Sequence, residues 1–149
     1  MQEWQILPVS SGEEEGDTMT AKEYMKQYRE SYEAVQEIAE HLADLKAEAV
    51  TLQGHDGQKP ALDAAVARYV DACVEQASEL ARIDRLRSEI LSTVHSIPDK
   101  RLRQLLREVY ILGRPLVRIA ADRGQSYEHI CRRHGEALNA VRKVRPDLK

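Results

Sequence analysis

The stretch LVRIAADRGQSYEHICRRHGEAL, residues 116–138, decides how the rest of the chain is read. It sets Leu116, Ile119 and Ala120 on one side of a short helix. Gly124 follows, at a place where positive φ is cheap only for glycine. Ser126 then stands as N-cap of a second helix. The spacing therefore predicts helix, tight turn, helix. In a DNA-binding helix-turn-helix, a small residue such as Ala120 lets the two helices cross closely, and the start of the second helix is presented to the major groove. The side chains at that surface would be Gln125, Ser126, Tyr127, Glu128, Arg132 and Arg133. A plain structural hairpin in a small all-α domain carries the same Ala and Gly spacing, so the pattern alone leaves both readings open.

Immediately upstream, Ile97 and Pro98 end one helix and Asp99 caps another that is expected to reach about Leu112. Leu102, Leu105, Leu106, Val109 and Tyr110 give that helix a buried face, and Lys100, Arg101, Arg103 and Arg107 stay outside. Gly113 ends it, and Pro115 is placed in the first turn of the next helix, where a missing N–H costs nothing. The last helix runs from Ser126 to about Val144 and stops before Pro146.

Further towards the N-terminus, Thr20 and Glu23 form a capping box that opens a helix to about Leu52. Tyr24, Tyr28, Ser31, Val35, Ile38, Leu42, Leu45, Ala49 and Leu52 follow a 4-3 alternation, the spacing of a coiled-coil seam. A loop at 53–60 has Asp56-Gly57 as its expected turn. A second long helix, from about Ala61 to Ser96, carries the alternation through Leu62, Val66, Tyr69, Cys73, Gln76, Leu80, Ile83, Arg87, Ile90 and Val94. Two helices of similar length joined by a short loop predict an antiparallel hairpin with arms on the order of 50 Å long, at 1.5 Å per residue. Ala65, Ala72, Ala77, Leu86 and Leu91 widen the apolar stripe, so a further helix, most simply from a second copy, is expected to pack there. The residues read as serving oligomerisation are Tyr28, Val35, Ile38, Leu42, Leu45, Leu80, Ile83 and Ile90. A dimer is the favoured assembly.

Composition agrees with long amphipathic helices. The 149 residues include no Phe and one Trp, and 32% are charged, a balance that suits helix pairs better than a thick core. The net charge of −3 hides an asymmetry. Residues 99–149 hold thirteen Lys and Arg against six Asp and Glu, a net of +7, whereas residues 1–98 hold nine against nineteen, a net of −10. A basic third beside an acidic remainder is the electrostatic footprint of a chain whose one end meets nucleic acid. A solvated arginine-rich helix surface would look the same by charge alone. Cys73 and Cys131 lie in different segments and read as reduced thiols of a cytoplasmic protein. No apolar run reaches the length of a membrane span, so no membrane partner is expected.

Residues 1–18 show no helical period and contain Pro8, Gly12, Gly16 and an acidic run, and are expected to be disordered. The Glu-Gly-Asp-Thr run before Met19 is also encodable by a purine-rich stretch like a bacterial ribosome-binding site, which makes Met19 the expected natural start. The expected organisation is thus 1–18 extension, 19–97 helical hairpin and 98–149 helix-turn-helix domain.

The run from Ile97 through Lys143 resembles region 4 of sigma-70 type factors at Ile97-Pro98, Leu105, Tyr110, Gly113, Ile119-Ala120, Gly124, Ser126, Ile130 and Ala137-Leu138. Together with MTAKEYM at Met19, the helical middle and HGEAL near the end, the chain is similar to small phage-encoded proteins that carry a sigma region 4-like domain behind a coiled coil, such as the ArpU and RinA-like late regulators. The resemblance covers Met19 to about Val144. It implies that the final helix reads promoter DNA through Gln125, Ser126, Tyr127, Glu128, Arg132 and Arg133. It also implies that Arg114 and Arg118 touch the backbone and that RNA polymerase is a further partner. Arg123, Gln125 and Arg133 stand where that family more often has apolar residues. Three extra polar groups at the DNA-facing end are expected to raise non-specific affinity.

Other constellations carry less. His129, Cys131 and His134 lie close in sequence, but a zinc site needs a second pair of ligands that the sequence does not supply, so no metal or other cofactor is expected. Tyr24, Tyr28 and Tyr32 read as core or interface aromatics. No nucleophile–base spacing and no phosphate-binding glycine loop is found, so no catalytic residue is assigned and an enzyme is not expected. The sequence thus predicts an all-α, double-stranded-DNA-binding phage or prophage regulator. Its rivals are a small terminase-like packaging protein and a coiled-coil adaptor that binds no DNA.

Overall fold

The computed structural model describes residues 18–54 and 57–149, and among these every regular element is helical. The described residues form five helices: α1 Ala21–Leu52, α2 Lys59–His95, α3 Lys100–Leu106 with a π-helical continuation Arg107–Ile111, α4 Leu116–Arg123 and α5 Tyr127–Val144. The expected disorder of residues 1–18 falls almost wholly outside the described residues, as does Asp56 of the expected Asp56-Gly57 turn. By contacts the chain divides into two compact units. One consists of the chain up to Arg29 with Leu86–Lys149, the other of Glu30–Arg85. The division passes through both long helices, whereas the sequence suggests a boundary near Ile97-Pro98.

Local signals place the helix ends. The Thr20 N–H donates to Glu23 Oε1 at 3.0 Å, and the Glu23 N–H returns to Thr20 Oγ1 at 3.1 Å, so two donors orphaned at the start of α1 satisfy each other's side chains. Helix α2 begins at Lys59, two residues before the expected Ala61. Pro60 therefore sits in the first turn, where its missing N–H breaks no bond. Asp99 Oδ1 accepts from the N–H groups of Arg101 and Leu102 at 2.9 and 3.4 Å, the N-cap expected for α3.

The unit containing α3, α4 and α5 is built on two clusters. In the larger, Ala21, Tyr24 and Met25 of α1 and Ile90 and Val94 of α2 pack with Leu102, Leu106 and Tyr110, and with Ala137, Leu138 and Val141 of α5. Met25, Ile90 and Leu106 are fully buried, each worth about 1.5–3 kcal/mol relative to exposure. The smaller cluster joins Leu105, Ile119, Ala120 and Ile130. Consecutive residues Leu105 and Leu106 thus serve different clusters, and Val109 touches both. Here the regular helix expected to Leu112 gives way to the wider π turn. The Leu112 N–H bonds five residues back to the Arg107 carbonyl at 2.9 Å, so one extra residue turns the helix face between Leu106 and Leu112.

The segment after α5 closes the same unit. The Lys149 N–H donates to the Met19 carbonyl and the Ala21 N–H to the Lys149 carbonyl, both at 3.0 Å. Leu148 is buried in the larger cluster. The Arg145 guanidinium lies 4.7 Å from the centre of the Tyr24 ring, held by Asp147 at 2.9 Å and Glu89 at 3.2 Å. The Tyr24 hydroxyl donates to Glu89 Oε2 at 3.1 Å and shares a hydrogen bond with Thr93 at 3.0 Å. Burial holds the Tyr24 phenol above its ordinary pKa.

In the unit Glu30–Arg85, Leu42 and Leu45 pack on Ala72 with Ile38, Tyr69 and Cys73 around them, and Arg68 pairs with Glu48 at 2.6 Å. Along α1 all nine expected seam positions are buried or half-buried. Along α2 the expectation needs correction. Leu62, Tyr69, Cys73, Gln76, Ile83, Ile90 and Val94 are covered as expected, but Val66, Leu80 and Arg87 are exposed, and Ala65, Glu79 and Leu86 are covered in their place, with Ala72 beside Cys73. Where the expectation fails, the seam is carried by the residue one earlier. Small alanines at 65 and 72 allow close approach to α1, and the larger valines and leucine are left outside. Val66, Val70 at 51% and Val74 at 64% exposure, at intervals of four, form an outward apolar row, and Leu80 at 47% is exposed off that row. Of the residues read as serving oligomerisation, Tyr28, Val35, Ile38, Leu42, Leu45, Ile83 and Ile90 are covered or half-covered by the chain itself, and Leu80 alone faces out.

Candidate nucleic-acid interface

Helix α4 is anchored by Ile119 and Ala120, both buried with Ile130 of α5 and Leu105 of α3. Pro115 sits at its N-cap in an extended conformation, one residue outside the expected first turn. Gly124 ends it with φ +66°, and the Gln125 N–H bonds back to the Ala120 carbonyl at 2.9 Å. This left-handed closure is the one that the sequence expects of Gly124. One residue beyond Gln125, Ser126 Oγ accepts from the His129 N–H at 3.0 Å and starts α5. Glycine and serine thus turn the chain within three residues and fix the direction of α5.

That direction sorts the candidate contact residues. Tyr127, 53% exposed, and Glu128, Arg132 and Gln125 face outward. Arg114 and Arg118 are exposed at the start of α4, where the Arg118 Nε lies 3.9 Å from Asp122 Oδ2, a weak restraint. The Ser126 hydroxyl oxygen is engaged in the cap, leaving its proton free to donate. Arg133 is placed differently from its neighbour Arg132. It is half-buried, pairs with Glu136 at 2.6 Å, and turns toward α3. Successive residues on a helix are separated by about 100°, so the two arginines cannot serve one surface equally.

Toward α3 lies a cleft of about 220 Å³ walled by Arg101, Arg123, Gln125, His129 and Arg133 over a floor of Leu102 and Leu105. Arg123 also bonds Glu108 at 3.1 Å, tying the turn to the π segment. Arg123, Gln125 and Arg133 therefore converge on this one cleft. The sequence points to Arg123 only as a polar group at the DNA-facing end, and it assigns no contact to Arg101 or His129. His129 and Arg133, four apart in α5, carry a readable signal that they share a helix face, and Gln125 reaches the same cleft from the turn before the Ser126 cap. Nothing in the sequence brings Arg101 to them.

Behind α5, His134 Nε2 lies 2.7 Å from the Tyr110 hydroxyl, with the rings stacked at 5.7 Å between centroids. Burial pushes the Tyr110 phenol up to about 12. Burial, and secondarily the Lys22 charge, lowers the His134 pKa below its ordinary value. His134 is therefore a neutral partner of Tyr110.

The outward groups are chiefly guanidinium, carboxamide and hydroxyl donors. Such groups suit anionic phosphate oxygens and base edges. No helix among the described residues is long and apolar enough to cross a membrane. Comparison of the chain with known protein families, characterised proteins and solved structures finds no match.

Proposed function

We propose that this chain is a phage or prophage DNA-binding protein that regulates transcription, with a sigma region 4-like helix-turn-helix behind a coiled-coil hairpin used for self-association. The observation that carries the reading is the Gly124–Ser126 turn. It leaves Gln125, Tyr127, Glu128 and Arg132 outward at the start of an 18-residue helix in the basic third of the chain. Arg132 is the candidate for bidentate pairing with guanine or for clamping phosphate, and Arg114 and Arg118 are candidates for backbone contacts. Weak single-site binding is multiplied when a dimer presents two such helices. The test is selection of bound sequences from random duplex DNA with the full chain. A defined motif supports the regulator, uniform weak enrichment a non-specific role, and no recovery the adaptor reading.

The outward row Val66, Val70 and Val74 favours a second reading, a multi-copy DNA-packaging protein similar to a small terminase subunit. A ring-sized particle in light scattering supports that reading, and a dimer supports the regulator.

A further inference from the structure

From the cleft between α3 and the start of α5 we infer that it seats one phosphodiester of a DNA backbone, making Arg101 a DNA contact supplied from outside the helix-turn-helix pair. This rests on the DNA-binding reading and adds to it a site on a different helix.

Charge selects the ligand. Three guanidiniums line the cleft. Two are already paired, Arg123 with Glu108 and Arg133 with Glu136. Among the described residues no acid pairs with Arg101, whose backbone N–H alone is engaged, by Asp99. Counted over the guanidiniums, one positive charge is left over, matching the single negative charge of a phosphodiester. A phosphate monoester dianion or a pyrophosphate would be left partly uncompensated. Gln125 and His129 add polar groups beside the guanidiniums. The floor of Leu102 and Leu105 offers the anion nothing, but it is a suitable surface for the carbon face of the adjoining deoxyribose. A volume of about 220 Å³ accommodates phosphate and sugar together. Position agrees with this role, because the cleft opens beside Gln125, which also belongs to the outward surface. A strand whose bases meet Arg132 then passes its backbone across Arg101.

The test is fluorescence anisotropy of the full chain on a short duplex across a salt series, comparing wild type, Arg101→Gln and Arg132→Gln. Arg101→Gln changes an exposed side chain with no acidic partner, and circular dichroism checks that its helicity is intact. The expected result is a threefold to tenfold loss of affinity, of the order of one charged hydrogen bond. The log–log salt slope should become shallower by about one. A duplex with one methylphosphonate at the contacted position should weaken wild type and leave Arg101→Gln unaffected. If wild type and Arg132→Gln differ while Arg101→Gln equals wild type in affinity and slope, the cleft proposal falls and the DNA-binding reading stands. If wild type does not bind DNA, both fall. Amide and side-chain NMR shifts at Gln125 and His129 on adding inorganic phosphate alone would then identify a free-anion site instead.

Discussion

The Tyr110 hydroxyl and His134 Nε2 stand 2.7 Å apart inside the unit that carries α5. Because burial lowers the His134 pKa, the unfolded chain binds this proton more readily than the folded one. The stability His134 contributes is complete above its unfolded value of about 6.5 and is lost as pH falls through the lower folded value. Thermal midpoints are expected to drop between pH 7 and 5. His134→Gln, which keeps a hydrogen-bonding group but cannot titrate, should flatten that drop. An equal drop in both proteins would assign the acid sensitivity elsewhere. Asp147, held below the ordinary carboxylate range chiefly by its hydrogen bond to Arg145, acts in the same direction, but only at lower pH.

Deleting Arg145–Lys149 should destabilise the whole unit, although the segment contains no helix. It removes buried Leu148, both backbone bonds to Met19 and Ala21, and the guanidinium over Tyr24. Burial of Leu148 alone is worth about 1.5–3 kcal/mol, and the cation–π contact about 0.5–1 kcal/mol. Urea unfolding of the truncated chain and of Arg145→Ala should show the larger and the smaller of these losses. A truncated chain as stable as the parent would refute the role.

At the turn, Gly124→Ala meets no atom within 4 Å of the added Cβ. Its cost is therefore one of backbone alone, about 1–2 kcal/mol for a left-handed residue, and Gly124→Asn should cost less, since asparagine tolerates that conformation. Ser126→Ala should cost about 1 kcal/mol through the lost cap, and Ser126→Asp should retain most of it. Chemical denaturation of the four variants ranks these effects directly.

Arg132→Ala should weaken DNA binding and make its salt slope shallower without changing helicity. It should do so more than Arg133→Ala, because Arg133 is already engaged by Glu136. Equal effects of the two changes would mean that the helix face is assigned wrongly.

Val70→Lys and Val74→Lys substitute exposed positions of α2. Both should leave the unfolding free energy within about 0.5 kcal/mol of the parent, as surface changes do. If the outward row is where copies meet, analytical ultracentrifugation will show the double variant shifted to smaller species.

Most of the fold is legible because it is written in short-range signals. The capping box at Thr20 and Glu23, Asp99 before α3, Gly124 and Ser126 each act within three or four residues, and the helices begin or end there. Along α1 the large residues themselves mark the seam. Along α2 size misleads, since valine and leucine at 66 and 80 look like core while the alanines at 65 and 72 look like flank. The choice between two equally periodic faces depends on how closely α1 approaches, which no local pattern records. The π turn escapes for a similar reason, as it reconciles two clusters drawing on adjacent leucines. At the candidate site, the outward residues follow from helix geometry, whereas the meeting of Arg101 with Arg133 depends on how α3 packs against α5.

The pairing of Ala21 with Lys149 joins the first turn of α1 to a segment made after every helix. During synthesis, the opening turn of α1 therefore emerges long before the chain that completes its surroundings. Its apolar residues Tyr24 and Met25 must stay soluble until the final helix and the segment behind it arrive. Closing contacts so distant in sequence is slow. It also means that residues 98–149, transplanted alone, would leave behind the side chains that finish their own interior.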